Sequence, residues 1–370
     1  MHCPREEDEV RRRSYLAEKM NDSIKAFMSL VRAGLWEKEV QLLPYKEVDY
    51  TRVLDYAEKQ TIVGLVASGI EHVVDVKVPK VSVLQFVGQA LQLEQRNSAM
   101  NYFIGVIVDK LKDAGIDILL VKGQGVAQCY ERPLWRSSGD VDFMLDDLNY
   151  QKAREFLLPL SSDNKQDERY SKHLGMTIDP WYVEIHGTLR TGLSARVDRE
   201  VDAVYEDTLK NNHVRTWKNG ETDVFLPSAN NDVFLVFTHF IKHFYKEGMG
   251  LRQVCDWIRL IWTYKEEVDA SLLEKRLQRS GQMGEWKAFA ALAVEHLGMP
   301  VEMMPLYDSG DEWKKKGVKV LNLLINGYSG SRIKDSVKVA KVFPWKTMCY
   351  LPGILLNVNW LKIKERILGL

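Results

Sequence analysis

The residues best suited to chemistry lie between Ile116 and Leu145. Asp140-Val141-Asp142 sits in an apolar setting and alternates like a strand, so both aspartates point to one face, roughly 7 Å apart along the chain. Two carboxylates aimed at one spot repel by a few kcal/mol (~) at an effective dielectric of ~20. A divalent cation removes that repulsion, and oxygen donors of this kind suit Mg²⁺ or Mn²⁺. Upstream, the apolar run Ile118-Leu119-Leu120-Val121 breaks at Lys122-Gly123-Gln124-Gly125. This predicts a buried strand, a tight glycine turn, and a short helix whose first N–H groups could face an anion. Lys122 and Arg136 are candidate phosphate ligands by charge, with salt bridges to the same aspartates as the plainer alternative. Downstream, Tyr182-Val183-Glu184-Ile185-His186 alternates again and puts Glu184 and His186 on one face.

Strand, Lys-Gly turn, helix, Arg136, Asp140-x-Asp142 and then Glu184-x-His186 together resemble the core of the DNA-polymerase-β-like nucleotidyltransferases. The most similar pattern is that of their uncharacterised bacterial group. The resemblance spans about residues 110–260. It implies an α+β fold with a mixed sheet, and catalytic and metal roles for Asp140, Asp142 and Glu184. It further implies nucleotide contacts from Lys122, Gly123, Gln124, Arg136 and Arg252. The implied reaction is metal-dependent transfer of a nucleoside monophosphate from an NTP to an acceptor, with Mg²⁺ or Mn²⁺ as cofactor and pyrophosphate released. Two departures stand out. The turn has Gly123-Gln124 where the commoner pattern has Gly-Ser or Gly-Gly, so phosphate grip would fall to backbone N–H groups with Lys122 or Arg136. The third acid is Glu184 rather than aspartate, one methylene longer, which would shift the metal site or leave a single ion.

Other polar pairs carry less. His239 and His243 lie four apart on a predicted helix, a spacing that binds zinc only with further ligands and is otherwise structural. Arg252 and Asp256, also four apart, suggest an intrahelical ion pair. By the resemblance, this helix and the His239-containing helix before it form a pair that covers the nucleotide cleft, with Arg252 turned inward. Nine lysines or arginines against the single acid Asp335 make residues 313–346 locally basic, with Trp345, Tyr350 and Trp360 following. Such a segment could hold RNA or an anionic surface, although a solvated face is the simpler reading.

The elements that must position these groups follow from periodicity. Helices are expected at 22–33 (capped by Asp22 or Ser23 and ended by Gly34), within 50–73, and over 82–114. Leu84, Val87, Leu91, Phe103, Ile107 and Leu111 mark the apolar stripe of the last, and Gly115 ends it. Asp146 and Asp147 should cap a helix running to Leu160. Residues 161–169 read as loop. Strands are expected near Met176 and over Trp181–His186, with a hairpin around Asn219-Gly220. From Ser228 the pattern is helical: Val233, Phe234, Phe237, Phe240, Ile241 and Phe244 share a face, Gly248 and Gly250 break it, and helices follow over 251–262 and within 269–325. The expected division is a helical region 1–115, an α/β core 116–227 and a helical region 228–370.

Bulk properties set limits. In 370 residues, 45% hydrophobic and 28% charged with zero net charge, no global field draws the chain to nucleic acid or membrane. Cys3, Cys129, Cys255 and Cys349 are too scattered for a zinc knuckle or disulfide framework. The start is charged, without a signal-peptide core, and no 18-residue apolar run exists, which points to a cytoplasmic protein with no membrane span. Two rival functions remain: a nucleotide-binding or interaction module without turnover, and an Asp-x-Asp glycosyltransferase using a nucleotide-sugar. The long helical lead before the motif counts against the latter.

Overall fold

The computed structural model describes residues 22–168, 172–327 and 332–355, with side chains not described at 163–168, 332, 333 and 355. Residues 1–21 and Trp360 lie outside that range. The fold is α+β, mostly helical, with a small mixed sheet. The chain divides into two compact units. One contains 1–97, 130–137 and 296–298, and the other contains the remainder.

The first unit is helical. Helix α1 (22–36) is followed by α2 (Tyr50–Lys59), α3 (Val63–Glu71) and the first half of α4 (Lys80–Asp113). Gly34 does not end α1. A Cβ there would run into the Leu65 carbonyl oxygen, and one on Gly69 into that of Leu30, so both glycines let α1 and α3 touch backbone to backbone. The expected stripe on α4 is also corrected in its first half. Leu84 and Leu91 are exposed, whereas Phe86, Ala90 and Asn97 are buried. The Asn97 amide donates to the carbonyls of Leu134 and Arg136, both at 2.7 Å, so a buried polar residue displaces the leucine face.

The second unit holds the sheet, ordered β1-β2-β5-β4-β3. Its strands are β1 (Leu119–Val121), β2 (Asp140–Met144), β3 (Asp163–Glu168), β4 (His173–Ile178) and β5 (Trp181–His186). Strands β2 and β5 are parallel and the other pairings antiparallel. Alternation explains the faces. Val141, Phe143, Leu145, Leu174, Met176, Ile178, Val183 and Ile185 bury one face under α4 and under α6 (Asp147–Leu157), and the polar residues of β2 and β5 go to the other. Asp146 caps α6 as expected, accepting from the Asn149 N–H at 2.7 Å. Residues 161–169 are not all loop. β3 forms there despite its polar composition because it is an edge strand, paired on one side by β4.

Helix α5 (Gly123–Ala127) is a single turn between β1 and β2. Helix α7 (Ala195–Lys210) has no counterpart in the sequence expectations, yet it is capped by Ser194 and buries Val197, Val201, Val204 and Thr208 at helical spacing. The hairpin β6 (Val214–Asn219) and β7 (Thr222–Pro227) turns through Gly220 at φ 61°. Next come α8 (Ala229–Lys246), α9 (Leu251–Thr263), α10 (Ala270–Ser280), α11 (Met283–Leu297), α12 (Asp311–Asn326), α13 (Arg332–Ala340) and α14 (Pro344–Leu355). The α8 stripe is buried throughout, and Phe237, Phe240 and Phe244 pack with Trp257, Trp286 and Phe289. In the basic segment, Lys316 pairs with Glu312, Lys314 with Glu295 and Lys338 with Asp335. Among the described residues no helix is long and apolar enough to cross a membrane.

Asp207 ties several of these elements together. It accepts from Asn211 at 2.8 Å, from His213 at 3.0 Å and from Asn231 on α8 at 2.9 Å. Burial would raise its carboxyl, but these bonds outweigh that and bring it down to about 2. A folded value below the unfolded one, near ~3.9, means the stabilisation is complete above that value and disappears as pH falls toward 2. Asp207→Ala should therefore lower unfolding stability by about 1–2 kcal/mol at neutral pH. Urea titrations at decreasing pH should show wild type and variant converging below about pH 3.

Candidate functional site

Register builds the site. On β2 and β5 the partners are Asp140↔Tyr182, Asp142↔Glu184 and Met144↔His186. Asp142 and Glu184 are thus neighbours on one face. With Asp140, they bring three carboxylate oxygens within 4.8 Å of one another. Asp142 is 3% exposed, and Asp140 and Glu184 are half-buried.

So much negative charge requires compensation. The Lys122 ammonium donates to Asp142 Oδ1 at 3.1 Å, and His186 Nε2 donates to the same oxygen at 2.7 Å. Burial alone would raise the Asp142 carboxyl. The Lys122 charge and the His186 hydrogen bond more than reverse this and hold it well below the usual carboxylate range. Burial opposes the Lys122 ammonium, yet the charges of Asp142, Glu184 and Asp140 keep it protonated and raise its pKa. Asp140 goes the other way: burial and the neighbouring Asp142 charge push its carboxyl up. Burial would raise Glu184 too, but a hydrogen bond from His173 leads the groups that lower it. The result is one firmly ionised carboxylate beside one that resists ionisation, which is the electrostatic condition for taking up a cation.

Lys122 reaches its position through an unusual backbone. Its φ of 58° and ψ of −144° fall in a region that favours glycine, and Gly123 follows at φ 39°. The turn brings Gly123 against β2, where a Cβ would lie 3.5 Å from the Asp140 carbonyl oxygen. Gln124 is buried, its amide donating to Met100 Sδ at 3.5 Å, so any phosphate contact from this residue would use its backbone N–H. Helix α5 is too short for an appreciable macrodipole, so the expected helix-terminus contribution is small.

Arg136 belongs to the first compact unit, where its carbonyl accepts from Asn97. Arg252 is half-buried in the first turn of α9. That helix packs on α5, with Arg259 Nε donating to the Cys129 carbonyl at 2.7 Å. His239 and His243 bond to each other, Nε2 to Nε2 at 2.9 Å, and His243 Nδ1 pairs with Glu247 at 2.7 Å. Burial, with Lys122 next among the causes, drives the His239 imidazole well below its ordinary pKa.

Sequence reasoning missed His173. It pairs with His186 across β4 and β5, its Nε2 lies 3.0 Å from Glu184 Oε2, and the two imidazole rings are 4.8 Å apart. The signal was present: Asp179-Pro180 between two alternating runs marks a two-residue turn, which sets His173 opposite His186 and Gly175 opposite Glu184. Gly175 leaves room there for the Tyr182 hydroxyl, which a Cβ would strike.

The strain at Lys122 can be separated from its charge. Lys122→Ala and Lys122→Gly both remove the ammonium, but only glycine relaxes the backbone. Lys122→Gly should be the more stable of the two by about 1 kcal/mol, after allowing for glycine's unfolded-state entropy, as read from thermal or urea unfolding.

Residues 46–298 match the model of a family described as uncharacterised nucleotidyltransferase. No curated protein matches. One solved structure, an antigenic nucleotidyltransferase-like protein from Paracoccidioides brasiliensis, is similar at 12% identity and a TM-score of 0.31, covering 54% of this chain and 93% of its own. With more than half its length inside the family match and three carboxylates converging on its sheet, the chain belongs to the uncharacterised nucleotidyltransferase family.

Proposed function

We propose that the protein is a metal-dependent nucleotidyltransferase that moves a nucleoside monophosphate from an NTP to an acceptor and releases pyrophosphate. The observation that carries this reading is the convergence of Asp140, Asp142 and Glu184 within 4.8 Å on adjoining strands. All three donors are carboxylate oxygens, which fit Mg²⁺ or Mn²⁺. A divalent ion held there supplies positive charge to the triphosphate and polarises the oxygens around the reacting phosphorus.

The chain's own groups then have distinct tasks. Asp140 and Asp142 hold the ion from β2. Asp142 is kept ionised by Lys122 and His186, so it is ready as a ligand at any physiological pH. An ammonium has three donors and Asp142 takes one, so Lys122 can offer another to a triphosphate oxygen. Backbone N–H groups of Gly123 and Gln124 line the same turn. Arg252, in the same compact unit, is a further cationic candidate for the nucleotide. Glu184, on the adjoining strand β5, would hold the ion on the acceptor side and help to take the proton of the acceptor hydroxyl.

Two measurements check the proposal. Thermal unfolding with each NTP and Mg²⁺ should show a rise in midpoint that neither component gives alone. Pyrophosphate release and transfer of labelled nucleotide to protein, sugar or RNA acceptors should occur in wild type. Asp142→Asn should fall by at least about a hundredfold while keeping its fold. Turnover undiminished in Asp142→Asn would remove this assignment, and binding without turnover across the acceptor panel would leave a nucleotide-binding module.

A further inference from the structure

A second group of donors adjoins the three carboxylates and differs from them in chemistry. His173 Nε2 and His186 Nε2 approach the same oxygen, Glu184 Oε2, at 3.0 and 3.4 Å. The three ligand atoms lie within 4.8 Å of one another. For M–N and M–O bonds of ~2.1 Å, ligand atoms around one ion are separated by ~3.0 Å in octahedral and ~3.4 Å in tetrahedral geometry. The two spacings to Glu184 Oε2, 3.0 and 3.4 Å, match that range. His186 Nε2 faces Asp142 Oδ1 at 2.7 Å and Glu184 Oε2 at 3.4 Å, so an ion bound there would displace the proton that His186 otherwise donates to Asp142. The side chains of His173 and Glu184 are 25% and 19% exposed, so an ion can reach them.

We propose that His173, Glu184 and His186 form a binding site for a borderline transition-metal ion such as Zn²⁺, separate in preference from the all-oxygen group of Asp140 and Asp142, with Glu184 shared between the two. Imidazole nitrogen with one carboxylate is a donor set for Zn²⁺ and its neighbours, whereas Mg²⁺ takes oxygen. The other histidine pair contrasts with this one. His239 and His243 point their Nε2 atoms directly at each other at 2.9 Å, with Glu247 on the outer nitrogen of His243, so they bond to each other rather than around a common vertex. The inference deepens the proposed reaction by naming the ion at one end of the same site, and its test uses no nucleotide, so either can fail without the other.

The probes are Co²⁺ and Zn²⁺ added to metal-free, full-length protein. Wild type should develop the visible absorption of imidazole-bound Co²⁺, and Zn²⁺ should displace it. His173→Gln, which keeps a hydrogen-bond donor toward Glu184, should lose the band and weaken Zn²⁺ binding on the order of a hundredfold. Asp140→Asn should retain both. In ¹⁵N spectra of wild type, Zn²⁺ should shift the Nε2 signals of two of the eight histidines, a readout that does not depend on any variant folding. An unchanged Co²⁺ band in His173→Gln, equal loss in Asp140→Asn, or unshifted imidazole nitrogens would each overturn the assignment.

Discussion

The parallel pairing of β2 with β5 is the constraint on which the site depends. It sets Asp142 opposite Glu184 and Met144 opposite His186. Because side chains alternate along a strand, a slip of one residue would bring Val183 or Ile185 to the polar face and turn Glu184 into the core. That slip is blocked by the apolar face itself. Val141, Phe143, Val183 and Ile185 are 0–1% exposed beneath α4 and α6. The chemistry on one face is thus held by hydrophobic burial on the other, and no residue of the site needs to supply that specificity. The concentrated charge, which repels itself, is tolerable because Lys122 and His186 compensate it.

The turn before β2 follows the same logic at smaller scale. Lys122 occupies a backbone conformation that favours glycine, yet a glycine could not provide an ammonium. The strain is offset where Lys122 meets Asp142, an ion pair that is buried and hydrogen-bonded rather than exposed. The glycine that follows takes a positive φ of 39°, and Gly125 is packed closely enough that a Cβ would come within 2.7 Å of Leu226 Cδ2. Conformational strain, close packing and a counter-charge thus occur together in four residues.

Much of this was legible in the sequence, for reasons that differ by element. Alternation over Asp140–Met144 and Trp181–His186 places the acids on one face before any coordinates, because the period of two is a property of the strand itself. The α8 stripe reads correctly since its phenylalanines all serve one core. Several failures share a cause: each depended on a partner elsewhere in the chain. Gly34 reads as a helix stop until Leu65 is found against it. Leu84 and Leu91 read as a buried stripe until Asn97 is seen to hold two carbonyls from beyond the motif turn. β3 has no apolar pattern of its own and is defined by pairing with β4. α7 has the pattern, with Ser194 as a cap and valines at helical spacing, and was obscured only by its charged surface.

Glu184 meets groups on both neighbouring strands, and its length is the reason it can. Its Cα lies opposite Asp142 on one side and Gly175 on the other. From there Oε2 reaches His173, which projects from the next register position on β4, at 3.0 Å, and stays 3.4 Å from His186. An aspartate would stop one methylene short, and the distance to His173 would no longer be that of a hydrogen bond or of two ligands on one ion. Read alone, glutamate at this position looks like a lapse from the commoner aspartate. Read with His173 it has a partner: a longer acid and an imidazole for it to meet at 3.0 Å. Residue 184 is thus tied to β4 as well as to the aspartates of β2.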